Sequence, residues 1–234
     1  MPSHKTALMA GAALIGLLTA DPSWAFGNDP YFALSGGLNF VPDITLDSTS
    51  FPLSTYPRML DFNTGFAGTA AFGGRIGTSL RLEKELSYRF NTLDSLTVQI
   101  EGPQGFDDGS VSAFGVMANG WIDIPTGTGW TPYIGGGIGA ANVHLSLDSN
   151  TGAPCTCWGV DIDSSQWVFA YQLGAGVAIG MGGGITATLD YRYFATSEFS
   201  MPFTSDGGAP SGDATGSYSA HSALFGLRFP LGGP

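Results

Sequence analysis

Residues 80–90 read LRLEKELSYRF, with Leu80, Leu82, Leu86, Tyr88 and Phe90 at even positions and Arg81, Glu83, Glu85, Ser87 and Arg89 at odd ones. A period of two puts these sets on opposite faces of a β-strand, whereas a helix would need a period near 3.6. One face is then apolar and the other ionic. A strand of that kind fits a wall between lipid and a polar interior, and a membrane-crossing strand needs only about 9–11 residues. Lys84 breaks the pattern, because it falls on the apolar face, where a midplane lysine costs roughly 2–4 kcal/mol. Such a side chain can snorkel to an interface or sit at an oligomer contact, unless the register is shifted.

Seven further segments repeat the alternation. In 31–41, Phe32, Leu34, Leu38 and Phe40 share one face, with Ala33, Ser35, Gly37 and Asn39 on the other. In 64–77, Phe66, Ala70, Phe72 and Ile76 point outward and Arg75 inward. In 111–124, Phe114, Val116, Ile122 and Ile124 are outward, with Asn119 and Asp123 inward. Residues 131–143 carry Ile134 and Ile138 outward and Gly135, Gly137 and Gly139 inward; the pattern fails at Asn142-Val143, where a bulge or strand end is expected. Residues 167–179 put Phe169, Tyr171, Leu173 and Val177 outward, with Gln172, Gly174 and Gly176 inward. Residues 185–195 place Ile185, Leu189, Tyr191 and Tyr193 out and Thr186, Thr188, Asp190 and Arg192 in. In 218–229, Ala223, Phe225, Leu227 and Phe229 face out and Arg228 in.

The connections between these segments alternate in length. Those at 77–79, 125–130 and 180–184 are short, while 42–63, 91–110, 144–166 and 196–217 are long. Short turns at one end and long loops at the other characterise outer-membrane barrels. A soluble β-sandwich, the main competitor, has no reason to sort its loops this way. The predicted fold is therefore all-β, an eight-stranded antiparallel up-and-down transmembrane barrel in the cell outer membrane.

Composition agrees. Charged residues make up only 12% of the chain, against about a quarter in soluble domains. Residues 1–25 read as a signal peptide: Lys5 precedes an apolar stretch at 7–18, and Ser23-Trp24-Ala25 offers a cleavage site after Ala25. That stretch is too short for a spanning helix, which needs about 20 residues. Residues 26–234 then form one barrel domain.

An eight-stranded barrel leaves an interior just wide enough for side chains to fill. Arg75, Arg81, Arg89, Arg192 and Arg228 fall on inward positions, as do Glu83, Glu85, Asp123 and Asp190. Charges that close must be paired and hydrogen-bonded. They are expected to form an ion network that fills the lumen, with a narrow gated path as the alternative. Most other acids lie in the long connections, which accounts for the net charge of −11. An acidic loop face repels nucleic acid, so none is expected as a partner. These acids read as solvated surface, since no EF-hand spacing is present.

Tyr31, Phe66, Tyr88, Phe90, Trp121, Trp130, Tyr133, Trp167, Phe169, Tyr193 and Phe229 lie near segment ends, as an interfacial girdle would. Cys155 and Cys157 form a lone C-x-C. It reads as a redox-exposed pair in a loop, a candidate disulfide with a tight ring, rather than as a metal site, which would need four ligands. No metal or cofactor is expected. His221-Ser222 are adjacent, so a strand points them to opposite faces; with His144 lacking a nucleophile motif, catalysis is not expected.

LRLEKELSYRF (80–90), GWTPYIGGGIGAANV (129–143), FAYQLGAGVAIG (169–180), TLDYRYF (188–194) and HSALFGLRF (221–229) together resemble the opacity-type outer-membrane β-barrel family, which includes alphaproteobacterial surface antigens and is OmpA-like. The resemblance implies a structural protein, antigen, adhesin or small porin. It also implies an assembly signal at Gly226, Leu227 and Phe229, read by the barrel-assembly machinery. Family members usually end on that aromatic residue; here Pro230 to Pro234 follow it. Partners are then outer-membrane lipid, the assembly machinery, and a host or envelope ligand at the loops. Two functional readings remain: a structural or surface-interaction barrel with a filled lumen, and a small porin, which the inward glycines favour by leaving space. A soluble periplasmic lipid-binding barrel is a third.

Overall fold

The structure, a computed structural model, describes residues 28–46, 58–98, 102–104, 108–148, 160–205 and 212–231. The leader expected at 1–25 and the Cys155–Cys157 pair lie outside the described residues. Thirteen strands run through the described residues: β1 (Asn28–Phe40), β2 (Ile44–Leu46), β3 (Arg58–Phe62), β4 (Gly65–Ile76), β5 (Leu80–Val98), β6 (Gly102–Gln104), β7 (Asp108–Asp123), β8 (Trp130–Asp148), β9 (Val160–Gly182), β10 (Ile185–Thr196), β11 (Phe199–Ser205), β12 (Gly212–Gly216) and β13 (Ser219–Pro230). Eight of them pair in the order β10-β13-β1-β4-β5-β7-β8-β9, and β9 pairs back onto β10. The sheet is closed and antiparallel throughout. Closure satisfies every ladder and leaves no strand edge facing lipid, the condition under which a sheet can cross a bilayer.

Each of the eight segments with a two-residue period forms one wall strand. The turn at 77–79 closes through Gly77, whose φ of 68° lies in the left-handed region that glycine adopts without a Cβ penalty. Short turns of this kind mark the periplasmic end.

The far end differs from the expectation. The long connections at 91–110 and 144–166 are largely strand: β5 and β8 each run 19 residues and β9 runs 23. That is about twice what the bilayer requires, so the barrel wall continues beyond the membrane. The connections at 42–63 and 196–217 contribute the hairpins β2–β3 and β11–β12.

No bulge occurs at Asn142-Val143, because the register of β8 with β7 and β9 runs unbroken from Tyr133 to Leu147. What changes there is polarity. Below that level Ile134 and Ile138 face outward; above it Val143, Leu145 and Leu147 are buried inside, and Asn142, His144 and Ser146 take the outer face. The outer surface meets hydrocarbon below and water above, so the apolar set must switch sides. Inside the upper storey Ile44, Leu60, Val111, Leu145, Phe199 and Met201 form one apolar cluster. Each such side chain contributes roughly 1.5–3 kcal/mol on burial.

This boundary is testable by urea unfolding in lipid vesicles. Ile138→Arg, on the lipid face, is expected to cost about 2–4 kcal/mol. His144→Arg, on the outer face above the switch, is expected to stay within about 0.5 kcal/mol of the unmodified protein. Equal penalties at both positions would refute this placement of the bilayer edge.

Candidate functional site

The lower storey of the lumen gathers the ionic side chains. In β5, Arg81, Glu83 and Glu85 are spaced by two and share the inner face, opposite Trp121, Asn119 and Met117 of β7 in turn, with Asp123 one step further on the same face. Arg81, 1% exposed, donates Nε to both Asp123 oxygens at 2.9 and 3.0 Å, and Nη1 to Glu83 at 2.8 Å and to the Tyr31 hydroxyl at 3.0 Å. Asp123 also receives Arg75 Nη2 at 3.3 Å from the rim. Glu83 accepts further bonds from the Tyr31 hydroxyl and from Trp121 Nε1, the latter at 2.8 Å.

One layer up, Glu85 accepts from Asn119 at 3.0 Å, from Gln172 at 3.1 Å and from Arg192 Nη1. Asp190 accepts from the Tyr133 hydroxyl and from Thr188 at 3.1 Å, with Arg192 Nη2 at 3.9 Å. All four buried acids therefore hold at least two donors. That matters because a carboxylate taken from water without partners carries a penalty of several kcal/mol.

Arg89 and Arg228 depart from the expected network. Neither makes an ion pair among the described residues. Arg89 donates to Ser87 at 2.9 Å and lies 3.9 Å over the Phe194 ring. Arg228 sits over Tyr133 at 4.8 Å and Tyr31 at 5.8 Å. Above Arg89 a neutral belt separates the ionic and apolar storeys: Asn39 donates to Asn91, and Ser222 to Asn39, both at 2.6 Å.

Three aromatics expected in the girdle are inside. Tyr31, Trp121 and Tyr133 are buried in the lumen and hydrogen-bonded to its acids. Their phase contained the signal: Trp121 shares parity with Asn119 and Asp123, and Tyr133 with Gly135. A bulky ring inside a narrow barrel needs a gap opposite, and the inward glycines supply it. A Cβ at Gly135 would lie 2.6 Å from Trp121 Cε3 and 2.1 Å from the Gly120 carbonyl oxygen. At Gly176 it would meet Tyr133 Cζ at 2.6 Å, and at Gly137 the Asn119 side chain at 1.9 Å. These glycines accommodate neighbouring side chains rather than leaving free space, contrary to the reading that favoured a porin.

The remaining outer-face residues hold their expected side. Trp130, Trp167, Phe169, Phe66, Tyr88 and Phe90 are exposed on the outer wall. Lys84 keeps its outward register, half-buried and paired across strands with Phe72 and Ala118. His221 stacks on Tyr191, with Nδ1 2.7 Å from that hydroxyl, and its neighbour Ser222 points inward. His144 is outside, with Nε2 3.8 Å from Asp163. Gly226, Leu227 and Phe229 lie on β13, the strand between β10 and β1. Of the loop acids, Asp61 is not simply solvated: it receives Ser95 at 3.2 Å, and its hydrogen bond to Asp43 holds the Asp43 carboxyl above the ordinary carboxylate range.

Comparison with known proteins gives the same architecture. The outer membrane protein beta-barrel domain family matches residues 10–229. Outer membrane protein OprG from Pseudomonas aeruginosa superposes with a TM-score of 0.54 at 14% identity, over 87% of this chain and 98% of that one. A major outer membrane protein from Thermus thermophilus gives 0.53 at 10% identity, over 86% and 99%. At these identities the likeness is one of fold. Uncharacterized proteins of Brucella abortus and Brucella melitensis are 35% identical over 89 residues, 37% of this chain. The match spans 31% of the length of those relatives. Closed eight-strand wall, lipid-facing girdle and family match agree: this chain belongs to the outer-membrane β-barrel domain family and resides in the cell outer membrane.

Proposed function

We propose that the protein is a non-catalytic barrel with a structural or surface-interaction role, its lumen occluded by its own side chains. The observation that carries this reading is the layer of Arg81, Glu83, Trp121 and Tyr133, each at most 5% exposed, with Arg81 over the Tyr133 ring and, one layer up, Arg192 bonded to Glu85 on the opposite wall. A conducting path would need continuous water through that layer. The apolar storey above it is a second barrier, since ions entering it would lose their hydration. The histidines support a non-catalytic role, with His221 on the lipid face and His144 beside a lone acid.

The surface role belongs to the extramembrane wall and its hairpins. They carry Asp43, Asp61, Asp94, Asp163, Glu198 and Asp213, and such an acidic face favours a cationic or neutral host or envelope ligand over nucleic acid. Gly226, Leu227 and Phe229 on the closing strand are the segment we assign to recognition by the assembly machinery, with outer-membrane lipid around the girdle.

Planar-bilayer recording tests the occlusion. The unmodified protein is expected to give no steady channels, and the double variant Arg81→Ala/Glu83→Ala, which removes only the lower of the two barriers, is expected to stay closed as well. Steady channels from unmodified protein would establish the small-porin alternative instead.

A further inference from the structure

Beneath the Arg81 layer the lumen widens to a cavity of about 580 Å³ at the periplasmic mouth, lined by Asp29, Tyr31, Arg75, Arg81, Thr186 and Arg228. Two guanidiniums there have donors to spare. Arg81 is 1% exposed yet its Nη2 has no hydrogen-bond partner. Arg228 rests on the Tyr31 and Tyr133 rings and makes no ion pair among the described residues. The carboxylates nearest to them are already engaged, Asp123 by Arg75 and Arg81, and Glu83 by Arg81, Tyr31 and Trp121. Of the charged residues that line the cavity, Arg75, Arg81 and Arg228 are cationic and Asp29 alone is anionic.

We propose that this vestibule binds a soluble phosphate-class oxyanion from the periplasmic side. Guanidinium forks are suited to phosphate oxygens. The donors here come from several directions around the wall, Arg75 on β4, Arg81 on β5, Thr186 on β10 and Arg228 on β13. A tetrahedral anion can meet donors from several sides, whereas a planar carboxylate satisfies one fork. Tyr31, Arg81 and Arg228 face the lumen, not the bilayer, which selects a dissolved anion over a lipid headgroup. Since the lumen narrows directly above, the vestibule is a blind site.

Titration calorimetry of the full chain, refolded in a non-ionic detergent, tests the site with inorganic phosphate at constant ionic strength. Saturable one-site binding is expected, weakened at least about tenfold in Arg228→Gln and unchanged in Lys84→Gln on the outer wall. Folding of each variant is checked by heat-modifiable gel mobility; should Arg228→Gln not fold, Arg75→Gln at the rim provides the same test. Absence of saturable heat, or equal affinity in the arginine variants, overturns the proposal. So does acetate binding as tightly as phosphate, or displacement of phosphate by phosphatidylglycerol vesicles but not by free glycerol phosphate. The measurement involves no conductance, so its failure leaves the occluded-barrel reading standing.

Discussion

Glu85→Leu lowers the unfolding free energy by about 3–5 kcal/mol, the expected cost of leaving one member of a buried ion pair alone. Urea titration in lipid vesicles measures it. Glu85 is where three strands converge: Asn119 of β7, Gln172 of β9 and Arg192 of β10 all donate to it. Without it Arg192, 5% exposed, keeps Asp190 at 3.9 Å as its ion-pair partner and the Trp121 ring at 4.9 Å, and its Nε already has no hydrogen-bond partner. The double variant Glu85→Leu/Arg192→Met removes both charges and is expected to recover most of the loss, because an apolar pair of similar volume often replaces a buried ion pair at little cost. A single-variant effect below about 1 kcal/mol, the range of solvent-exposed pairs, would show that water reaches this layer and would remove the main support for occlusion.

The glycines provide the second large effect. Gly135→Ala is expected to destabilise by about 3 kcal/mol or more, the upper end of overpacking costs. The added Cβ would lie 2.1 Å from the Gly120 carbonyl oxygen and 2.9 Å from Trp121 Cα, so backbone and not a flexible side-chain tip must move. Trp121 stands edge-on to Tyr133 at 5.8 Å and bonds to Glu83, so its displacement spreads into the ionic layer. Gly180→Ala, near the periplasmic end of β9 with nothing within 4 Å of the new Cβ, is expected to change stability by no more than about 0.5 kcal/mol. The folded fraction of each variant on a cold gel reads the contrast. A tolerated Gly135→Ala would mean that the lumen holds the free space a porin needs.

The wall itself was legible in residues 80–90 and the seven segments like it. Strand parity is a local property, and the bilayer imposes it on every strand at once. Parity also delivered the inward set of Arg81, Glu83, Glu85, Asp123, Asp190 and Arg192. Trp121 and Tyr133 carry the same inward phase, although their places near segment ends also match an interfacial girdle. The polarity switch at Val143 looked like a broken strand because one pattern was applied through two solvents. Seen from the sequence, inversion and irregularity both appear as a lost period.

The alternation alone, then, fixes which strand positions face in and which face out, that eight strands build the wall, and that the wall must close. It could not determine which inward residues touch, because Glu85 and Arg192 meet across the lumen at a sequence separation of 107, and such a contact depends on the stagger and tilt of the closed barrel. The tertiary structure alone decided that Arg89 and Arg228 lie on aromatic rings rather than on acids, and that the glycines of β8 are sites for side chains of β7. Both follow from the short cross-lumen distances of eight strands, where each side chain packs against whatever the opposite wall presents.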